Sequence, residues 1–480
     1  MVAPHHRSPR SFRRSGRVEA ARSADRCPLP PRGPDVTSRN PVLPPDICIP
    51  DGEAHAMPDG RLYVYGSYDQ HDDVLCSAEY RVVSTKDLGE WTVHDVSFAI
   101  DAAPWGDEAA TARPVATLGR WTKLKYLVRT LRHVNKTGVW PAFQRMMAAT
   151  RRIPGPLLFA PDCIEKDGRY YLYFDLSDGS EGVAIGEHPE GPFTDPVRLP
   201  ATGIDPAVFV DDDGAAYYYW GQFRAGGVRL NDDMRGFDTA AVRHNLVTEE
   251  QHHFHEGSSM RKIGETYYLV FADTSRGKPT CLGYATSSSP LGPFDYRGVI
   301  IDNAGCDPNS WNNHGSIERV GDEWFVFYHR SSGNSPARRR LCVEPISVAA
   351  DGTIAEVPMT SQGAGAPHAR DELIEAWRAC EVSGGAYVGP SGGDERLIPP
   401  KPGASGTYRY LSNDAPISRL GIDVTGSGVI EVRVGDYVAE SAVANGTQDI
   451  DLGLIPAGRY EVAVTLTAGE NVHPRGLVFT

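Results

Sequence analysis

The chain predicts an all-β protein: a five-bladed β-propeller with a helical insertion, followed by a small C-terminal β-sandwich. Three observations carry this expectation. Fifty glycines and 37 prolines in 480 residues demand many turns. A tight turn followed by an aromatic-rich strand recurs five times. The spacing of the copies is that of a four-stranded blade.

The copies are "DGRLYVYGS" from Asp59, "DGRYYLYFD" from Asp167, "DGAAYYYWG" from Asp213, "GETYYLVFA" from Gly264 and "GDEWFVFYH" from Gly321. Asp-Gly and Gly-Asp suit hairpin turns because both residues tolerate positive φ. Tyr, Val, Phe and Trp then suit a buried, pleated strand. From Asp167 to Asp213, Gly264 and Gly321 the steps are 46, 51 and 57 residues, a blade's length. A generic sandwich reusing such turns is the competing reading, and five copies at this spacing weigh against it.

The step from Asp59 to Asp167 is 108 residues, about one blade too long. The excess lies at about 105–155, where "WTKLKYLVRTLRHVNKTGVWPAFQRMMAATRR" has helical spacing of Leu124, Leu127, Val128 and Leu131. The propeller is therefore placed at 40–363. A polar linker follows at 364–384, then an accessory β-sandwich at 385–480. That last segment holds no Trp and few Tyr (Tyr387, Tyr408, Tyr410, Tyr437, Tyr460), which favours packing over sugar stacking.

Residues 1–39 carry nine arginines, three acids and hardly any large apolar side chain, so they read as a disordered Arg-rich tail. "SFRRSG" lacks the apolar stretch an export signal needs. The eight cysteines are scattered without a Cys-x-x-Cys pair, against a zinc ribbon and in favour of a reducing cytoplasm. A net charge of -14 disfavours nucleic acid and anionic membranes as partners, and leaves a neutral sugar open. No apolar run is long enough for a membrane helix. Nothing in the sequence sets the oligomeric state.

A propeller gathers the first strand of every blade around one axis. Asp51, Asp205 and Glu256 each lie eight residues ahead of a repeat, at 59, 213 and 264. Equal offsets in equivalent blades put the three acids at equivalent depth. Taken singly, Asp51 and Asp205 read as turn acids. Together they suit glycoside hydrolysis, which needs one carboxyl to protonate the leaving oxygen and another to activate water or attack the sugar.

These segments, with "FAPDCIEKDGRYYLYFD" and "NNHGSIERVGDEWFVFYHR", resemble in order the five blades of glycoside hydrolase family 43 from about Asn40 to Gly363. The resemblance implies an inverting hydrolase of arabinose- or xylose-containing glycans, an α-L-arabinofuranosidase or β-xylosidase of hemicellulose degradation. It implies Asp51 as general base, Asp205 as the residue tuning the acid and orienting substrate, and Glu256 as general acid. Asp162 and His314 match further motif positions of the family, and with His255 and Arg330 they are the expected substrate-binding residues. No cofactor is required; a structural calcium on the axis would face His314, which otherwise reads as a buried structural histidine. The first-blade motif departs from Asp-Pro, reading Asp51-Gly52-Glu53, so Glu53 and Asp46 stand as alternative base or ligand. A retaining β-fructosidase-like propeller and a non-catalytic sugar-binding propeller are the competing functions; the fructosidase motifs are absent.

In "QHHFHEGSS" strand alternation puts His253, His255 and Gly257 on one face, and Phe254 and Glu256 on the other. The histidines then do not converge with the acid as a metal site. His255 is the one expected to line the cleft.

Overall fold

Each of the five repeats folds as the second strand of an antiparallel sheet. The structure is a computed structural model that describes residues 38–105 and 156–480. The helical insertion expected at about 105–155 lies, apart from Trp105, outside the described residues. So does the Arg-rich tail up to residue 37. Arg39, placed in that tail by its sequence, instead pairs with Glu372 at 2.9 Å.

Blade 1 comprises β1 Glu53–Ala56, β2 Leu62–Tyr65, β3 Glu79–Thr85 and β4 Trp91–Ala99. Blade 2 comprises β5 Asp162–Lys166, β6 Arg169–Asp175, β7 Ser180–Gly186 and β8 Thr194–Thr202. Blade 3 has three strands, β9 Ala207–Val210, β10 Ala216–Trp220 and β11 Gly226–Arg229. Blade 4 comprises β12 Phe254–Ile263, β13 Thr266–Asp273, β14 Cys281–Ser287 and β15 Asp295–Ile301. Blade 5 has β16 Ser316–Val320, β17 Glu323–Ser331 and β18 Arg339–Ile346. The hairpin turns carry Gly60, Gly168, Gly214, Gly264 and Gly321, all at positive φ, as the repeat requires.

Side-chain alternation explains why the repeats are apolar on both faces. In β2, Tyr63 and Tyr65 pack toward blade 2, while Leu62 and Val64 pack toward blade 5. In β17, Val326 and Tyr328 face blade 4, while Phe325 and Phe327 face blade 1. Five buried clusters thus lie between successive blades, and the last joins blade 5 back to blade 1. Stacked sheets with shared cores leave no face of the ring uncovered. The N-terminal segment helps close it. Val42 N–H donates to Leu341 O at 3.0 Å, and Asn40 exchanges two hydrogen bonds with Val343 on β18. On the axis, Gly52 bridges Gly315, where an added Cβ would sit 1.9 Å from Phe327 O; only glycine fits there.

The C-terminal region is one branched eight-stranded sheet plus a hairpin. Its two long strands, Ile417–Val434 and Gly458–Phe479, bend at bulges, and both halves bury side chains in a single core. The stretch 364–384 is more than the expected linker. His368–Ala369, Leu373–Glu375 and Glu381–Ser383 join this sheet, because Ile374, Ala376 and Trp377 belong to its core. Among the described residues, no helix is long and apolar enough to cross a membrane.

Candidate active site

Asp51 and Asp205 occupy the turns that lead into β1 and β9, and Glu256 lies near the start of β12. Both aspartates hold left-handed backbone, φ 59° and 55°, and Gly257 after the glutamate has φ 70°. Such conformations in non-glycine residues are sparsely populated and persist where surrounding structure dictates them. His314 stands among the three acids. Its Nδ1 is 3.8 Å from Asp51 Oδ1 and 3.7 Å from Asp205 Oδ2. Its ring also lies so close to Gly257 that an added Cβ would sit 2.6 Å away. The backbone N–H of Gly257 in turn donates to Asp205. The equal offset in the sequence has become one constellation.

The neighbours of the acids differ. Asp51 accepts hydrogen bonds from Ser67 Oγ at 2.7 Å and Arg339 Nη1 at 2.9 Å, with His329 Nδ1 3.3 Å from Oδ1. Burial alone would raise its carboxyl, but Arg339, His329 and His314 hold it far below the ordinary carboxylate range. Asp205 is pushed well above that range by burial and by the charges of Glu256 and Asp51. Glu256 accepts from Gln222 Nε2 at 2.7 Å, and its Oε2 is 3.8 Å from His255 Nε2. Burial works to raise it; His255, Lys278 and the Gln222 bond outweigh burial and lower it. These directions favour Asp205 over Glu256 as the holder of a shared proton and favour the ionised form of Asp51.

Two expectations need correction. His255 lies beside Glu256, not on the opposite face, because the β12–β13 register slips on both sides of Glu256 and the strand bulges there. Its Nδ1 also meets Glu249 at 3.3 Å. Arg330 is not at the acids. It follows the Val326–Tyr328 side of β17, while His329, on the other side, reaches Asp51.

Asp162 is also apart from the three acids, further along the axis. Its Oδ1 meets His55 Nε2 at 2.7 Å, and its Oδ2 accepts from Val208 N–H at 2.7 Å. Glu53, His55 and Asp162 form the one group among the described residues with metal-ligand spacing, their atoms within 4.8 Å of one another. His314 is not part of it. Arg261 Nη2 already lies 2.8 Å from Glu53 Oε1 and also pairs with Glu318 through Nε. One guanidinium thus faces three carboxylates. Burial pushes Glu53 and Asp162 each up to about 7. The donor set fits a divalent cation of calcium's oxygen preference, with His55 as the atypical ligand.

Sequence reasoning missed Arg339, His329, Ser67, Gln222 and Asn312. Ser67 stood in plain view, two residues after β2. Asn312 stood next to the His314 motif, and its Oδ1 lies 3.3 Å from His329.

The sequence profile of glycosyl hydrolases family 43 matches residues 128–354. A β-xylosidase of Xylanibacter ruminicola is 32% identical over 244 residues, covering 42% of this chain and 74% of its own. The chain belongs to glycosyl hydrolases family 43. A xylosidase/arabinosidase of Thermoclostridium stercorarium is 29% identical over 368 residues, covering 68% of this chain and 67% of its own. Among solved structures, a family 43 β-xylosidase/α-arabinofuranosidase from a compost microbial metagenome, in complex with xylotriose and in calcium-free form, is 27% identical. It covers 68% of this chain and 98% of its own, with a TM-score of 0.51. This family 43 chain is a glycoside hydrolase.

Proposed function

We propose that this glycosidase removes terminal arabinofuranose or xylose residues from arabinose- or xylose-containing glycans, with inversion at the anomeric carbon. The observation that carries the reading is the constellation itself: an ionised Asp51 and a proton-retaining Asp205–Glu256 pair around one histidine. Asp51 takes a proton from water as its oxygen bonds to the anomeric carbon. Glu256 delivers the pair's proton to the leaving oxygen as the glycosidic bond breaks. Asp205 holds that proton in the free site and orients the sugar. His255 and His314 line the cleft. The relatives named as xylosidase/arabinosidase support pentose as the substrate class.

Glu53, His55 and Asp162 are the residues that would hold a calcium ion, which would supply positive charge among these buried carboxylates. The chain's own residues carry the proton transfers.

Proton NMR of the first-formed sugar should show the inverted anomer. Retention would transfer the chain to the fructosidase-like reading. Glu256→Gln should lose hydrolysis of alkyl pentosides while sparing nitrophenyl pentosides, whose leaving group needs no proton. Equal survival on both classes would remove Glu256 from the acid role.

A further inference from the structure

β17 sends its last side chains to two different places, and the second is a cavity. Arg330 is 3% exposed and lines it with Ser331, Ser332, Cys306, Arg340 and Trp377, at the seam between blade 5 and the C-terminal sheet. The Nη1 and Nη2 of Arg330 are buried without a hydrogen-bond acceptor. Arg340, 2% exposed, is in the same condition at Nε, Nη1 and Nη2. It meets Glu395 Oε2 at 3.0 Å, outside hydrogen-bond geometry, and its guanidinium lies 5.4 Å from the centre of the Trp377 ring.

The carboxylates nearby are engaged elsewhere, except for Glu395 Oε2, which faces Arg340. Glu344 accepts from Thr360 N–H and Oγ1, from Asn40 Nδ2 and from Tyr328 OH. Asp307 accepts the N–H groups of Asn309 and Asn334. Glu395 Oε1 is taken by Arg338. Arg330 is thus left with two open donors, and Arg340 with one ion pair and no hydrogen-bond acceptor, an arrangement that is unfavourable unless something accepts from them.

We propose that the cavity binds a monatomic anion of the chloride class between Arg330 and Arg340. The cavity has room for one small particle beside the two guanidiniums. An acceptor-only occupant suits a shell made of guanidinium donors better than water, which brings two protons of its own that need acceptors. The lining comes from blade 5, from Pro41 and from the C-terminal sheet. The ion therefore ties the propeller to the C-terminal region by charge, remote from the acids.

The test uses the whole chain. At fixed ionic strength, Tm in sodium chloride should exceed that in sodium gluconate, and rise by about 2 °C for each tenfold increase of chloride above its Kd. Arg330→Met should abolish the chloride dependence while leaving kcat on nitrophenyl pentosides within about twofold. Crystals of the unaltered chain grown in sodium bromide should show an anomalous peak between the two guanidiniums; this arm decides even where the variant fails to fold. Water in place of that peak overturns the proposal. A bromide peak without any halide dependence of Tm marks an adventitious ion only, and overturns it equally.

Discussion

The Asp51 and Asp205 sides of the site share a position and differ in charge. Both aspartates sit eight residues ahead of their repeat, in the same left-handed backbone, within 4 Å of the same histidine. The surroundings of one favour the ionised form and those of the other favour the protonated form. The backbone does not make this difference. Asp51 faces Arg339, which also pairs with Asp69 at 2.9 Å. Asp205 faces Glu256, and Asp175 and Glu181 lie buried behind it. A propeller's symmetry delivers equivalent carboxyls to the axis; the strands between them decide which is a base and which a proton store.

The sharpest break is to remove the ionised side. Asp51→Asn keeps the shape and the hydrogen bond to Ser67 but leaves no acceptor for the water's proton. kcat should fall by about 10³-fold or more on both alkyl and nitrophenyl pentosides. Loss confined to alkyl pentosides would move the base elsewhere, to Glu53 first.

Next in size is the cation that sets the difference. Arg339→Met leaves Asp51 and Asp69 buried and unpaired, so unfolding by urea should show a loss of about 3–5 kcal/mol. Asp51 would then feel burial without its counter-charge, and its carboxyl would rise. The base must be ionised, so the acid limb of kcat/KM should move to higher pH by at least about one unit. An unmoved limb would mean that Arg339 does not govern the charge of Asp51.

Much of this was legible in the sequence, for a physical reason. A propeller repeats its backbone, so a constant offset in sequence becomes a constant depth in space; Asp51, Asp205 and Glu256 were found that way. Their partners obey no such rule. Arg339 from β18 and His329 from the end of β17 reach Asp51 through ring closure across long stretches of chain, and Gln222, from beyond β10, reaches Glu256 from the neighbouring blade. His255 was set on the wrong face because a bulge at Glu256 cancels period-two alternation. Arg330, expected at the substrate, lies on the Val326–Tyr328 side of β17, and its neighbour His329 is the one that faces Asp51.

A smaller effect separates the two roles within the protonated side. Asp205→Asn removes the proton store but little volume. Glu256 alone is held below the ordinary range by His255, Lys278 and Gln222. The alkaline limb on alkyl pentosides should therefore move to lower pH, since the acid then loses its proton earlier. Nitrophenyl pentosides should show a weaker shift. If the limb stays in place, Glu256 holds the proton itself and the pair is not shared.

The smallest expected effect tests whether burial alone explains the proton-retaining side. Glu181 is fully buried, accepts from Tyr218 OH, and leaves Oε1 without a partner. Burial pushes it up to about 8. Its unfolded value is about 4.3. Between these values the unfolded chain gives up the proton that the folded chain keeps. Its stabilising share is thus complete below about pH 4.3 and is lost as pH rises through about 8. Glu181→Gln removes this titration and keeps the shape. Variant and wild type should be equally stable near pH 4, and the variant should gain about 2–4 kcal/mol by pH 8.5, read from urea unfolding across that range. A pH-independent difference between the two would show that the carboxyl is solvated in the folded chain, and that burial is not what keeps the Asp205 side protonated.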